Sequence, residues 1–361
     1  MKTILINCND CFALYNFRLE LLKKLRDTYK LVIVAKWDNY YEKLKAEGFT
    51  VINNNLSNKN KIINELKLIW FYKKVMRKYI PDLVINYTIK PHLYSTLVSK
   101  NTKIINFVSG VGSVFLKRNL LFYFCVFLYK LIRNKVDLYI FINNDDKEFF
   151  ENLKLTNNNY LVIKGEGVNL DKFYKEVDLS IYPTFIFIGR LVLEKGILDY
   201  LKAAKIIKSK YPNTKFLVVG PFYNKKTVID RNIIYEYHNK KIINYLGYSY
   251  NINEILRDVH VVVNPSYREG LSICLIEGLA SKKYLIASNV AGCKDVCIEG
   301  YNGFLFDVGN VEMLAERIEE YINYSDKRLL HEYALNSSYQ YAKEFYVEKM
   351  VEIIEKVSSC Y

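Results

Sequence analysis

The residues best suited to chemistry lie in one stretch, Asn264–Gly303, reading NPSYREGLSICLIEGLASKKYLIASNVAGCKDVCIEGYNG. It follows the apolar run Val259–Val263, so it begins where a strand should end. Glu269 and Glu277 stand eight residues apart, and Gly270 lets the backbone approach a ligand closely. Leu271 and Ser272 would present amides at a helix N-terminus, a setting that favours phosphate. Glu277, one or two turns into that helix, is suited to accept two hydrogen bonds from a ribose diol, each worth about 1.5–3 kcal/mol when charge-assisted. By spacing alone, the same two glutamates also fit a solvated helix face. A second cluster, Phe187-Ile188-Gly189-Arg190, ends another apolar run and leads to Lys195-Gly196. Arg190 and Lys195 at a strand's carboxyl edge would neutralise a departing nucleotide diphosphate. The chain has no DxD motif and no His/carboxylate metal pattern, so the expectation is a cationic clamp in place of a divalent metal.

Such side chains need elements to position them. Apolar runs at Lys2–Ile6, Leu31–Ala35, Asp82–Asn86, Lys103–Phe107 and Asp137–Ile142 alternate with helical patterns around Phe17–Leu25, Ile62–Tyr79, His92–Lys100 and Leu120–Arg133. The second half continues with strands at Thr184–Ile188, Lys215–Val219, Ile243–Leu246, Val259–Val263, Tyr284–Ala287 and Gly303–Phe306. Strands alternating with helices predict α/β architecture, here two doubly wound parallel sheets in succession. Ligands of such sheets bind at the carboxyl ends of the strands. The predicted division is 1–165, a linker 166–182, 183–340, and a terminal amphipathic segment 341–361.

Composition narrows the class. Of 361 residues, 51% are hydrophobic and 25% charged, as expected of a globular chain with room for two cores. No run approaches the ~18 consecutive apolar residues of a membrane span. The opening MKTILINCND lacks a secretory apolar region with a small-residue cleavage site. Seven cysteines form one isolated CxxC, Cys8 and Cys11, plus Cys293 and Cys297 a turn apart. That pattern suits reduced thiols in a cytoplasm. The formal charge is +14, and residues 1–170 hold 27 Lys+Arg against 14 Asp+Glu, leaving the remainder nearly neutral. A basic first half points to an anionic partner, either nucleic acid or an anionic membrane surface.

Taken together and in order, Gly189-Arg190…Lys195-Gly196, Pro265-Ser266…Glu269-Gly270-Leu271-Ser272…Glu277 and Asn302-Gly303 resemble the retaining family 4 glycosyltransferases of GT-B fold. Tyr15-Asn16-Phe17-Arg18, Gly110–Phe115 and Gly167–Phe173 look like landmarks of the subgroup of PglA-like N-acetylgalactosaminyltransferases, which extend undecaprenyl-diphosphate-linked sugars. Ala291–Val296 resembles the subgroup's Gly-Cys-Arg-Glu-Val, with both charged residues conservatively replaced. The resemblance implies an acceptor-binding, membrane-facing first domain, a nucleotide-sugar-binding second domain and a terminal helix that crosses back. It implies that Glu277 holds the donor ribose, Glu269 contacts the donor sugar, Arg190 and Lys195 bind the diphosphate, and Gly270, Leu271 and Ser272 border sugar and phosphate. In the first half, the loop Ala13–Asn16 would face the diphosphate. Arg18, His92 and Gly112 are expected on the acceptor or donor-sugar side, against the alternatives of a surface charge, a packed histidine and a conformational glycine. Family members often carry Pro where this chain has Ser272. The implied activity is transfer of a sugar, an N-acetylhexosamine such as GalNAc, from a UDP-sugar to an undecaprenyl-diphosphate-linked glycan in surface polysaccharide or glycoprotein glycan synthesis. No cofactor or metal is expected. The alternatives are a hexosyltransferase of capsule, lipooligosaccharide or O-antigen assembly with another donor, an epimerase of the same fold, and a non-catalytic scaffold in a glycan assembly complex.

A lipid-linked acceptor recasts the basic first half as an attachment surface on the anionic inner leaflet of the cytoplasmic membrane. The segment Ile62–Ile80 interleaves Leu66, Ile69 and Met76 with Lys61, Lys67, Lys73, Lys74, Arg77 and Lys78. Leu120–Ile132 is apolar nearly all round and flanked by Lys117, Arg118, Arg133 and Lys135, which suits an interfacial or a core helix. Nucleic-acid binding is not expected, since no recognised helix motif or aromatic sheet platform is evident.

Overall fold

The computed structural model describes residues 1–54, 62–115, 117–222 and 229–359; Lys61 of the amphipathic stretch lies outside them. The chain divides into two compact units, Met1–Glu166 with Glu344–Tyr361, and Gly167–Lys343.

The first unit is built on seven strands: β1 (Thr3–Asp10), β2 (Lys30–Lys36), β3 (Val51–Asn53), β4 (Leu83–Tyr87), β5 (Lys103–Val108), β6 (Leu138–Phe141) and β7 (Tyr160–Val162). Their order is β3-β2-β1-β4-β5-β6-β7, with every pairing parallel. Helices on both faces bury the central strands, which is why β4 reads LVINY with all five residues buried. Three of the buried residues are asparagines in register across the centre. Asn7 donates to Asn86 Oδ1 at 2.8 Å, and Asn86 to Asn106 Oδ1 at 3.0 Å. Mutual hydrogen bonding is what makes such polar burial tolerable. Helix Leu120–Ile132 turns Phe122, Cys125, Tyr129 and Ile132 inward, at helical spacing, against Phe115, Phe141 and Phe150.

The second unit repeats the plan with β8 (Thr184–Ile188), β9 (Lys215–Val219), β10 (Asn244–Tyr245), β11 (Val261–Asn264), β12 (Tyr284–Ser288) and β13 (Gly303–Phe306), in the order β10-β9-β8-β11-β12-β13. One face packs on helices Ile197–Lys210 and Val311–Asn323, the other on Ile273–Ala280 and Lys327–Ser338. The strand order reverses direction between β8 and β11, which opens a crevice at their carboxyl ends.

The segment 166–182 is not a slack connection. Val168 pairs with Ala342 as an isolated bridge, its N–H donating to the Tyr341 carbonyl at 2.9 Å while Lys343 N–H donates to the Val168 carbonyl at 2.9 Å. Lys283 Nζ and His260 Nε2 donate to the carbonyls of Glu176 and Asp178. These bonds hold the segment on the second unit from Gly167 onward. The last helix, Lys343–Ser359, buries Tyr346, Met350, Ile353 and Ile354 in the first unit, with the Tyr346 ring edge-on to Phe107.

Candidate functional site

In the second unit, the segments after β8 and β11 touch through their backbones. Gly196 adopts φ +68° at the end of the turn Leu193–Lys195, and a Cβ there would lie 1.9 Å from the Pro265 carbonyl oxygen. Tyr267 N–H donates to the Glu194 carbonyl at 2.9 Å. This apposition lets the Lys195 ammonium ion-pair with the Glu269 carboxylate, to which the Ser266 hydroxyl also donates at 2.8 Å. Both charged side chains remain partly exposed.

A second close approach fixes the other side of the loop. Glu269 N–H donates to the Ala291 carbonyl at 3.3 Å and Ser272 N–H to the Gly292 carbonyl at 3.0 Å. Gly292 sits at φ +73°, where a Cβ would fall 2.6 Å from the Gly270 oxygen. Asp295 accepts the Gly292 N–H at 2.9 Å and so holds that turn. Asn264, at the end of β11, donates to Ser272 Oγ at 2.6 Å and accepts the Ser266 N–H at 3.0 Å. Spacing alone did not reveal the parts played by Asn264, Ser266 and Asp295, although all three lie in or beside the glutamate motif.

Several predicted residues therefore meet here. Lys195, Glu269, Gly270 and Ser272 form one lattice, and Leu271 sits within it. Arg190 is exposed just beyond β8, at the same sheet edge. Glu277 lies on the helix Ile273–Ala280 that begins after Ser272, and burial pushes its carboxyl up to about 7. The expectation of a free Ser272 amide is corrected. That N–H is committed to Gly292, and the buried Ser272 hydroxyl anchors the helix to β11 instead of facing a ligand.

The first unit is less uniform. The expected loop Ala13–Asn16 is helical: a short turn Cys11–Ala13 runs into a π-helical turn Leu14–Arg18 and then helix Leu19–Arg26. Asp10 caps it by accepting the Ala13 N–H at 2.9 Å, and the exposed Asn16 side chain donates back to the Phe12 carbonyl at 2.9 Å. Such π turns in helices are frequent at functional positions. Arg18 is not a surface charge but 4% exposed. Its guanidinium pairs with Glu166, donates to the Ala13 carbonyl at 3.1 Å and lies 4.0 Å from the Tyr87 ring centroid. A guanidinium is the cation best suited to such burial, because it stacks and is weakly hydrated. His92 is likewise packed, in helix Ile89–Val98. Its Nδ1 accepts from the Tyr129 hydroxyl at 2.9 Å, and Nε2 reaches the Phe107 carbonyl at 3.0 Å. Burial lowers its pKa to about 4, so it stays neutral. Gly112 is exposed at φ +78°, in a turn closed by Phe115 N–H on its carbonyl.

With this geometry in place, comparison with known proteins defines the class. Residues 177–336, nearly all of the second unit, match the family of glycosyl transferases group 1. A glycosyltransferase from Rickettsia africae ESF-5 superposes with a TM-score of 0.80 at 20% identity, over 100% of this chain and 99% of that one. The fold is GT-B, and the second unit carries a glycosyl transferases group 1 domain, which makes the protein a glycosyltransferase. Along 96% of both chains it is 26% identical to the N,N'-diacetylbacillosaminyl-diphospho-undecaprenol alpha-1,3-N-acetylgalactosaminyltransferase of Campylobacter jejuni. It is also 26% identical to the UDP-Gal:alpha-D-GlcNAc-diphosphoundecaprenol alpha-1,3-galactosyltransferase of Escherichia coli, over 60% of this chain and 58% of that one.

Two outcomes follow from the packing. Glu166→Ala strands a buried guanidinium and should lower stability by about 3–5 kcal/mol in urea unfolding, whereas the double replacement Arg18→Met with Glu166→Leu should recover most of that loss. Gly196→Ala forces the Pro265 backbone away and should cost about 1–3 kcal/mol, read in the same assay.

Proposed function

We propose that this chain moves an N-acetylhexosamine from a UDP-sugar to an undecaprenyl-diphosphate-linked glycan, with retention of anomeric configuration and without a metal ion. The observation that carries the reading is the backbone-apposed pair of loops after β8 and β11, which holds Lys195, Glu269 and Gly270 at the sheet's switch point. The two relatives named above both transfer a sugar to a diphosphate-linked undecaprenol, and one of them takes it from UDP-Gal.

In this reading the second unit binds the donor and the first the acceptor. Glu277 accepts the ribose hydroxyls, and Glu269 and Gly270 line the sugar. Arg190 and Lys195 face the diphosphate. As the bond between the anomeric carbon and the phosphate oxygen breaks, the two cations take up the charge left on UDP. The acceptor hydroxyl bonds to the same face of that carbon, and its proton passes to the departing phosphate oxygen. Cations positioned at the strand ends do this at low reorganisation cost, which is the service a divalent ion supplies elsewhere.

Peripheral attachment to an anionic inner leaflet is part of the proposal. Among the described residues, no helix is long and apolar enough to cross a membrane. Yet the outward side of helix Leu120–Ile132 leaves Leu120, Phe124, Phe127 and Leu131 exposed, with Leu120 at 89%. Helix Ile62–Tyr79 likewise exposes Ile63, Leu66 and Trp70, with the Lys74 ammonium 3.6 Å from the Trp70 ring centroid. Apolar side chains for insertion, ringed by lysines that each add about 1 kcal/mol near anionic lipid, suit this surface better than nucleic acid.

Three measurements test the reading. With EDTA present, UDP release from one UDP-N-acetylhexosamine should depend on an undecaprenyl-diphosphate-linked acceptor and give an α-linked product by NMR; dependence on added divalent ions would remove the cationic-clamp account. Ribose hydroxyls favour the ionised form of Glu277, so UDP binding should release a proton. Calorimetric affinity should then rise by up to about tenfold per pH unit from pH 5 toward 7 and level off above, and Glu277→Gln should bind weakly with no such slope. Finally, the protein should sediment with phosphatidylglycerol vesicles at low salt and less so at high salt, and Phe124→Ser with Phe127→Ser should abolish most of that binding.

A further inference from the structure

The carboxyl edge of the first sheet holds an aromatic cluster that the residues already assigned do not account for. Beyond β1 comes Phe12, Tyr15 and Phe17; beyond β2 comes Trp37, Tyr40 and Tyr41. Phe12 meets Tyr40 edge-on at 5.2 Å and Phe17 at 5.9 Å, while Trp37 stacks on Tyr41 at 4.1 Å with only 20° between the rings. Asp38 staples the two segments together, accepting the Phe12 N–H at 2.9 Å and the Tyr40 N–H at 2.8 Å through its two oxygens. The Trp37 indole N–H is pinned to the Val51 carbonyl at 2.9 Å. The rings are thus held in place before any ligand arrives. Despite this, Phe12 and Trp37 are 40% and 45% exposed. The Lys43 ammonium lies 4.5 Å from the Tyr40 centroid and 5.5 Å from that of Tyr15.

We propose that this cluster is the subsite that seats a sugar ring of the acceptor, with Lys43 answering the diphosphate to which that sugar is attached. The inference rests on the reading of the chain as a transferase to diphosphate-linked glycans. One face of a pyranose carries C–H groups that complement the electron-rich face of an aromatic ring. Preorganised rings hold such a ligand at little entropic cost. The cluster lies beyond the carboxyl ends of β1 and β2, the edge at which open parallel sheets bind ligands, and β1 itself borders the switch point between β1 and β4. It adjoins Ala13 and Asn16, whose side chain bonds the Phe12 carbonyl. Charge supports the same occupant over a bare lipid tail, because a cation beside the rings matches an anionic linkage and not a hydrocarbon.

The chain carries its own reporter. It has two tryptophans, so a Trp70→Phe background leaves Trp37 as the single emitter. Titration with farnesyl-diphosphate-linked N-acetylglucosamine should change Trp37 emission saturably, and farnesyl diphosphate without the sugar should bind about tenfold more weakly. In turnover, Trp37→Ala and Phe12→Ala should each raise the acceptor KM about tenfold while the donor KM stays unchanged, and Trp37→Phe should retain most of the affinity. Lys43→Met should weaken both farnesyl ligands alike. Equal binding of the two farnesyl ligands would overturn the sugar assignment. An emission change produced by phosphatidylglycerol vesicles alone would make the cluster a membrane contact instead, and an unchanged acceptor KM in both alanine variants would overturn the proposal outright. If wild-type protein transferred no sugar from any donor, the proposed activity would fail, and the Trp37 titration would still decide the subsite.

Discussion

The second unit depends on a backbone contact that tolerates no side chain, the approach of Gly196 to the Pro265 carbonyl. Any Cβ at 196 would sit 1.9 Å from the oxygen, far inside van der Waals contact distance, and the positive φ there disfavours other residues as well. With the two segments that close, Lys195 reaches Glu269, Tyr267 bonds Glu194, and the loop after β11 lies flat against the turn at Gly292. Side chains that converge on one ligand must come from different strands, and only a tight backbone packing of this kind holds them to sub-ångström tolerance.

The two units handle charge in opposite ways. In the second, Lys195 and Glu269 are paired but partly exposed, so their mutual attraction is moderate and an anionic ligand can compete for the ammonium. In the first, Arg18 and Glu166 are buried together, and neither can leave its partner without a large desolvation penalty. The first arrangement is suited to exchange during a reaction. The second is suited to holding a π-helical turn and the segment just before Gly167 in one fixed relation within the first unit.

Burial also sorts the titratable candidates. His92 and Glu277 are both driven toward their neutral forms by desolvation, yet with different consequences. Both ring nitrogens of His92 are engaged within the fold, which leaves no bond for a ligand. Desolvation raises the Glu277 carboxyl pKa, so hydrogen-bond donors brought to it would favour its ionised form.

Alternating apolar runs and helical periodicity made both doubly wound units legible, because strands of a parallel sheet buried on both faces must be apolar throughout. The order Gly-Arg…Lys-Gly…Glu-Gly-Leu-Ser…Glu made the class legible through its resemblance to a known family, although what some of these residues answer, Gly196 against Pro265 above all, is not local. What stayed hidden depends on contacts distant in sequence. Nothing near Arg18 announces Glu166, 148 residues away, so its burial could not be foreseen. Nothing local tells that Ser272's amide is taken by Gly292. Leu120–Ile132 is apolar nearly all round, and only packing against Phe115, Phe141 and Phe150 decides which side is core and which remains exposed. The contact of Phe12 with Tyr40 comes into being only when β1 and β2 lie side by side. Local pattern specifies elements and the chemistry they can carry; which groups are desolvated, paired or left open is decided by what the fold brings against them.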